Sequence, residues 1–133
     1  MIEGIEKYYQ TIADAISDAV PEEWLSAKME AIFYARKSIC VGEYVREKDG
    51  KTVDLRTPAE SQRAFRELRE LFLAAGKQLW GQGTFEIAAD GKFGMKWGYD
   101  NCDENGNTRF VEDEYRRFLD ERAKRLSRTA GTP

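Results

Sequence analysis

The sequence contains no histidine. That absence removes the commonest general base, the commonest metal ligand and every Ser–His or Cys–His pair, and most familiar hydrolase mechanisms go with it. Only two cysteines are present, Cys40 and Cys102, and they form no C-x-x-C, so neither a zinc site nor a thioredoxin-like redox pair is expected. A disulfide between them stays open on sequence alone, although Cys40 lies among strand-forming neighbours and reads as a buried free thiol. No run approaches the roughly 18 apolar residues that a membrane span needs. The opening MIEGIEKYYQ places acids where a signal peptide needs a basic and then an apolar stretch, so a cytoplasmic location is expected. A surplus of positive charge is also missing: 21 Lys and Arg against 24 Asp and Glu leave −3, which argues against general nucleic-acid binding.

What remains is ample material for a core. Hydrophobic residues make up 41% of 133 and aromatics 12%, enough apolar surface to offset the conformational entropy of folding one domain. Ile2, Ile5, Tyr9, Ile12, Ile16 and Ala19 recur at helical spacing, with Glu3, Glu6, Lys7, Asp14 and Asp18 on the other side. Pro21 disfavours helix at Val20, so the first helix stops there and Pro21-Glu22-Glu23-Trp24 forms a turn. From Ala27 the period becomes two: Ala27, Met29, Ala31, Phe33 and Ala35 face one way, and Lys28, Glu30, Ile32, Tyr34 and Arg36 the other. Ile39 to Arg46 and Thr52 to Leu55 read as a hairpin about Asp49-Gly50.

Thr57-Pro58-Ala59-Glu60 predicts a helix start with Thr57 as cap, Pro at the first helical position and Glu60 completing a capping box. Phe65, Leu68, Phe72 and Ala75 form the buried stripe of this helix, Arg63, Arg66, Glu67, Arg69 and Glu70 its solvated face, and Gly76 its stop. Thr84 to Ala88 and Phe93 to Tyr99 predict a second hairpin about Asp90-Gly91, with Phe93, Met95, Trp97 and Tyr99 on one face. A last helix from about Val111 to Ser127 buries Val111, Tyr115, Phe118, Leu119, the stem of Arg122 and Leu126. The expected architecture is therefore a single α+β domain over residues 1–127, an antiparallel sheet with helices packed on it, in the order helix, three strands, helix, two strands, helix. Residues 128–133 read as a frayed tail.

Two features invite a functional reading. Asn101, Asp103, Asn105, Gly106, Asn107 and Glu112 fall on the positions of a calcium loop. The first ligand is neutral, however, and a strand precedes the loop where an entering helix belongs, so an ordinary strand-to-helix loop with no metal or other cofactor is expected. The same stretch gathers six carboxylates, Asp100, Asp103, Glu104, Glu112, Asp113 and Glu114. They are either a solvated loop plus the acids that favour a helix start, or a surface complementary to a basic partner. Trp97 reads as core, whereas Trp24 and Trp80 sit at turns and are either lids on the core or exposed anchors.

The segment IADAISDAVPEEW, the alternating strand after it, the helix ending near Gly76 with Trp80 four residues on, and the hairpin FEIAADGKFGMKWGYD resemble the YezG-like family of bacterial polymorphic-toxin immunity proteins. The likeness runs in order along nearly the whole chain and departs from the family in the Arg-rich middle helix and the long Asp100 to Thr108 loop. It implies an inhibitor that binds a cognate protein toxin tightly, often a nuclease; with the missing histidine, the charge balance and the lack of a long apolar run, the expectation is a non-enzymatic protein, monomeric when free, that touches neither nucleic acid nor membrane. Asp100, Asp103, Glu104, Glu112, Asp113, Glu114, Trp24 and Trp80 are the expected contact residues. A small acidic secretion chaperone shares this element order and is the alternative; it needs a contiguous apolar groove for an effector segment and usually pairs into dimers.

Overall fold

A computed structural model describes residues 2–100 and 102–130, the side chains of 127–130 excepted. The elements are α1 (Ile5–Ala19), β1 (Trp24–Phe33), β2 (Ser38–Arg46), β3 (Thr52–Leu55), α2 (Ala59–Ala74), β4 (Gln82–Ala88), β5 (Phe93–Gly98) and α3 (Glu112–Ala130). The five strands form one antiparallel sheet in the order β3-β2-β1-β4-β5. The expected α+β fold and its element order are both present.

Register decides what each face of the sheet carries. Met29 stands opposite Gly42 on one side and Phe85 on the other, so Ala27, Met29, Ala31, Phe33, Tyr44, Leu55, Phe85 and Ile87 share a face. Ile12 and Ile16 of α1 and Ala64, Phe65, Leu68 and Phe72 of α2 close over it as one core. Helix α3 lies across the opposite face on its β2–β3 side: Arg122 Nη2 donates to Gly42 O at 2.9 Å and to the Asp54 carboxylate, and Arg125 pairs with Glu43 at 2.6 Å. The buried stem expected of Arg122 follows from this anchoring.

Several boundaries differ from expectation for local reasons. Helix α1 starts at Ile5 because Gly4 takes a left-handed conformation, φ +84°. Strand β1 begins at Trp24 through a bulge between Trp24 and Ser26, so the Pro-Glu-Glu-Trp turn ends inside the sheet. It ends at Phe33, leaving Ala35 and Arg36 exposed in the hairpin turn. The capping box does not form. Pro58 is the N-cap of α2, Thr57 Oγ1 donates instead to Cys40 O at 3.3 Å, and Ser61 Oγ turns back to Pro58 O. The stop at Gly76 is as expected, with Lys77 N bonded to Phe72 O and Gly76 N to Leu73 O around φ +70°, but Ala75 caps the helix and is exposed. Tyr99 lies beyond β5 and Leu119 on the outer side of α3, so both are exposed rather than packed. Helix α3 continues to Ala130, past the predicted end at Ser127, while 131–133 of the predicted tail lie outside the described residues.

Candidate partner-binding surface

The acidic segment is built onto the end of β1. Thr108 N donates to Phe33 O at 2.7 Å, and Thr108 bridges both Tyr34 and Cys102, so the loop after β5 returns to the end of β1 before α3 begins. Within the loop Asp103 is the organiser. Its Oδ1 accepts from Asn105 N at 2.9 Å and Asn107 N at 3.0 Å, an Asx turn, while its own N–H donates to Asn107 O and its carbonyl accepts from Gly106 N. Gly106 is required here on two counts: its φ is +76°, and a Cβ would stand 2.2 Å from Leu79 Cβ.

Arg69 locks this turn to α2. Its Nη2 donates to Gly106 O and its Nε to Trp80 O at 3.2 Å, and the guanidinium lies 4.4 Å from the centroid of the Phe33 ring. Burial pulls its pKa below the ordinary arginine value, partly offset by Cys102 and Asp103. Arg69 is therefore a half-buried clamp and not part of the solvated face read from the sequence. The available signal was its position four residues after Phe65 and three before Phe72, on the flank of the buried stripe.

The expected contact residues divide accordingly. Asp100, Asp103, Glu104, Glu112, Asp113 and Glu114 are all exposed, and the loop and the first turn of α3 that carry them are attached to the same end of the sheet. Glu112 accepts from Arg116 at 2.7 Å, one helical turn on; the other five make no ion pair among the described residues. Asn101, the first position of the calcium-loop pattern, lies outside the described residues. Of the other positions in that pattern, Asp103 is committed to main-chain N–H groups and Glu112 to Arg116.

Trp80 is not available to a partner. Trp80 is 0% exposed, stacked on Trp97 at 4.4 Å and edge-on to Phe33 and Phe72, so it anchors the core and cannot reach a partner while the chain is folded. Trp24 is half-buried against the same core. Both cysteines are free; burial pushes the Cys40 thiol pKa up to about 12 and also raises that of Cys102.

A hollow of about 510 Å³ opens on the part of the sheet face that α3 leaves uncovered, where Lys28, Glu43, Glu86, Lys92 and Lys96 alternate in sign. Lys96 reaches Glu86 at 4.0 Å and Glu43 is taken by Arg125. This mixed lining selects no charge in a partner, unlike the 100–114 segment, where six carboxylates stand against the one cation Arg109. No helix among the described residues is long and apolar enough to cross a membrane.

No curated protein matches this sequence. Residues 55–120 match the family described as immunity protein YezG-like. That span takes in the last residue of β3, α2, the β4–β5 hairpin, the acidic loop and the first half of α3; it leaves out α1, β1, β2 and the Pro-Glu-Glu-Trp turn on which part of the resemblance rested. The matched segment is thus similar to the YezG-like immunity proteins, in line with the resemblance read from the sequence.

Proposed function

We propose that this protein protects its producer by binding a cognate protein toxin, a nuclease in the reading we favour, and covering its active surface without doing chemistry of its own. The observation that carries the reading is the ordered acidic end of the molecule, five carboxylates without ion-pair partners among the described residues, on a loop clamped by Arg69 and on the first turn of α3. A nuclease binds phosphates through basic side chains, so an acidic inhibitor is drawn to the surface it must occlude. Holding the loop rigid lowers the ordering cost of association. A chaperone role finds less support: among the described residues the exposed large apolar side chains, Leu25, Leu73, Phe93, Tyr99, Phe110 and Leu119, are spread over separate elements.

The test is the toxin domain encoded by the neighbouring reading frame. Co-expression with this chain should restore growth, the two should co-purify as a complex, and the purified chain should abolish cleavage of DNA or RNA in proportion to complex formed. A neighbouring toxin that kills equally well beside the folded chain overturns the reading; a toxin that is neutralised but cuts no nucleic acid overturns only its nuclease part.

A further inference from the structure

Beside the acidic segment three aromatic rings meet, Tyr34 edge to face with both Phe110 and Tyr115, and those two tilted at 53° to each other. Tyr34 lies 5.4 Å from Phe110 and 6.3 Å from Tyr115, and Phe110 lies 5.3 Å from Tyr115, centroid to centroid. The ammonium of Lys37 sits over two of them, 4.7 Å from the Phe110 centroid and 5.0 Å from that of Tyr115. Tyr34 and Lys37 close the β1–β2 hairpin through a 2.8 Å main-chain bond, whereas Phe110 and Tyr115 flank the start of α3. The cage is thus assembled from two distant segments. Phe110 remains 46% exposed. Burial, then Tyr115, Glu30 and Glu114, raises the Tyr34 hydroxyl pKa.

Rings in this arrangement present electron-rich faces to a cation. Lys37 shows that this one accepts an ammonium, and its anchor is an exposed hairpin turn, so the occupant is held by one flexible side chain. We infer that the Tyr34–Phe110–Tyr115 cage is a binding site for a lysine or arginine side chain of a basic partner protein, with Lys37 as an internal stand-in that yields when the partner's cation enters. This deepens the proposed function and rests on it for the partner's identity. It adds an anchor that selects geometry to an acidic surface that selects only charge. The internal competitor lowers apparent affinity by the fraction of time the cage is filled.

The experiment needs no toxin. A fluorescently labelled hexa-arginine peptide is titrated at low ionic strength into the full-length protein and into Lys37→Gln, Arg36→Gln, and Lys37→Gln with Phe110→Leu or Tyr115→Leu. Arg36 is exposed in the same turn, so Arg36→Gln removes the same charge without opening the cage. Lys37→Gln should bind about two- to fivefold more tightly than Arg36→Gln, and adding Phe110→Leu should reverse that gain by a similar factor. Equal affinity for the two charge-matched variants, or no loss with either ring replaced in a protein whose melting transition is intact, overturns the site and leaves the rings as support for the hairpin. Protection against the toxin with a failed peptide test keeps the proposed function and removes the cage. Peptide capture by the cage in a chain that fails to protect removes the function and keeps the cation site.

Discussion

Arg69 on α2 donates through Nη2 to the main-chain oxygen of Gly106, 37 residues further along, and so fixes the acidic loop to the helix that the sequence presents as solvated. The same guanidinium spans the carbonyl of Trp80 and the face of Phe33, which makes one side chain the junction of α2, β1 and both ends of the β4–β5 unit. Arg69→Ala should therefore destabilise the protein by about 2–3 kcal/mol, from two lost hydrogen bonds of a charged donor and one lost ring contact. Urea unfolding measures the cost, and amide exchange locates it: Asn105, Asn107 and Thr108 should lose protection before the core strands do. Unchanged exchange in the loop would show that Arg69 does not hold it.

Gly106 and Gly91 have similar backbones and different surroundings. Both have positive φ, +76° and +95°, but a Cβ at Gly106 meets Leu79 at 2.2 Å whereas one at Gly91 meets open space. Gly106→Ala should cost roughly 2–4 kcal/mol, conformational strain plus overpacking, and Gly91→Ala only about 1 kcal/mol. Equal melting points for the two variants would contradict the close packing of the loop on Leu79.

For the proposed toxin complex, the carboxylates to reverse are Asp100, Glu104 and Asp113, because they are exposed and make no ion pair among the described residues. Asp103 should be left in place, since its side chain closes the Asx turn and its loss confounds charge with folding. The triple change to Lys should slow association about tenfold at low salt, with dissociation within about twofold, and the difference should shrink as salt rises. Stopped-flow association at two ionic strengths reads this, and an unaltered rate with unaltered salt dependence moves the interface elsewhere.

Tyr44 is almost fully buried and donates to Glu22 Oε2 at 2.5 Å; burial first and this bond second push its hydroxyl up to about 12. The folded value lies above the unfolded one of about 10, so the contribution is complete below that pH and disappears as pH rises through about 12. Cys40, also raised to about 12, by burial, acts in the same direction from about pH 9 upward. Denaturation free energy should hold constant to mildly alkaline pH and then fall, less steeply in Tyr44→Phe. Tyrosinate absorbance rising with a single ordinary midpoint would refute the shift.

Calcium at millimolar concentration should leave the melting temperature unchanged, because the Asp103 and Glu112 carboxylates already serve the loop's own N–H groups and Arg116. A calorimetric affinity in the micromolar range, abolished by Glu112→Gln, would overturn this.

The order of elements was legible because each signal is local. Ile12 and Ile16, or Phe65, Leu68 and Phe72, repeat at the helical period whatever lies opposite them, and Asp90-Gly91 turns a hairpin by its own conformational preference. The acidic stretch was legible for the same reason, as six carboxylates close in sequence. Roles that depend on distant segments were not. Whether Trp80 faces solvent or Trp97, whether Arg69 is solvated or clamps Gly106, and whether Lys37 ends in water or over Phe110 are settled by the sheet order β3-β2-β1-β4-β5, which brings the β1–β2 hairpin, α2 and the loop before α3 to one end. Periodicity specifies which face of an element is buried. Only packing the elements together specifies what each polar side chain at the margin of that face will meet, because a long cationic side chain gains as much from a carbonyl or a ring as from water.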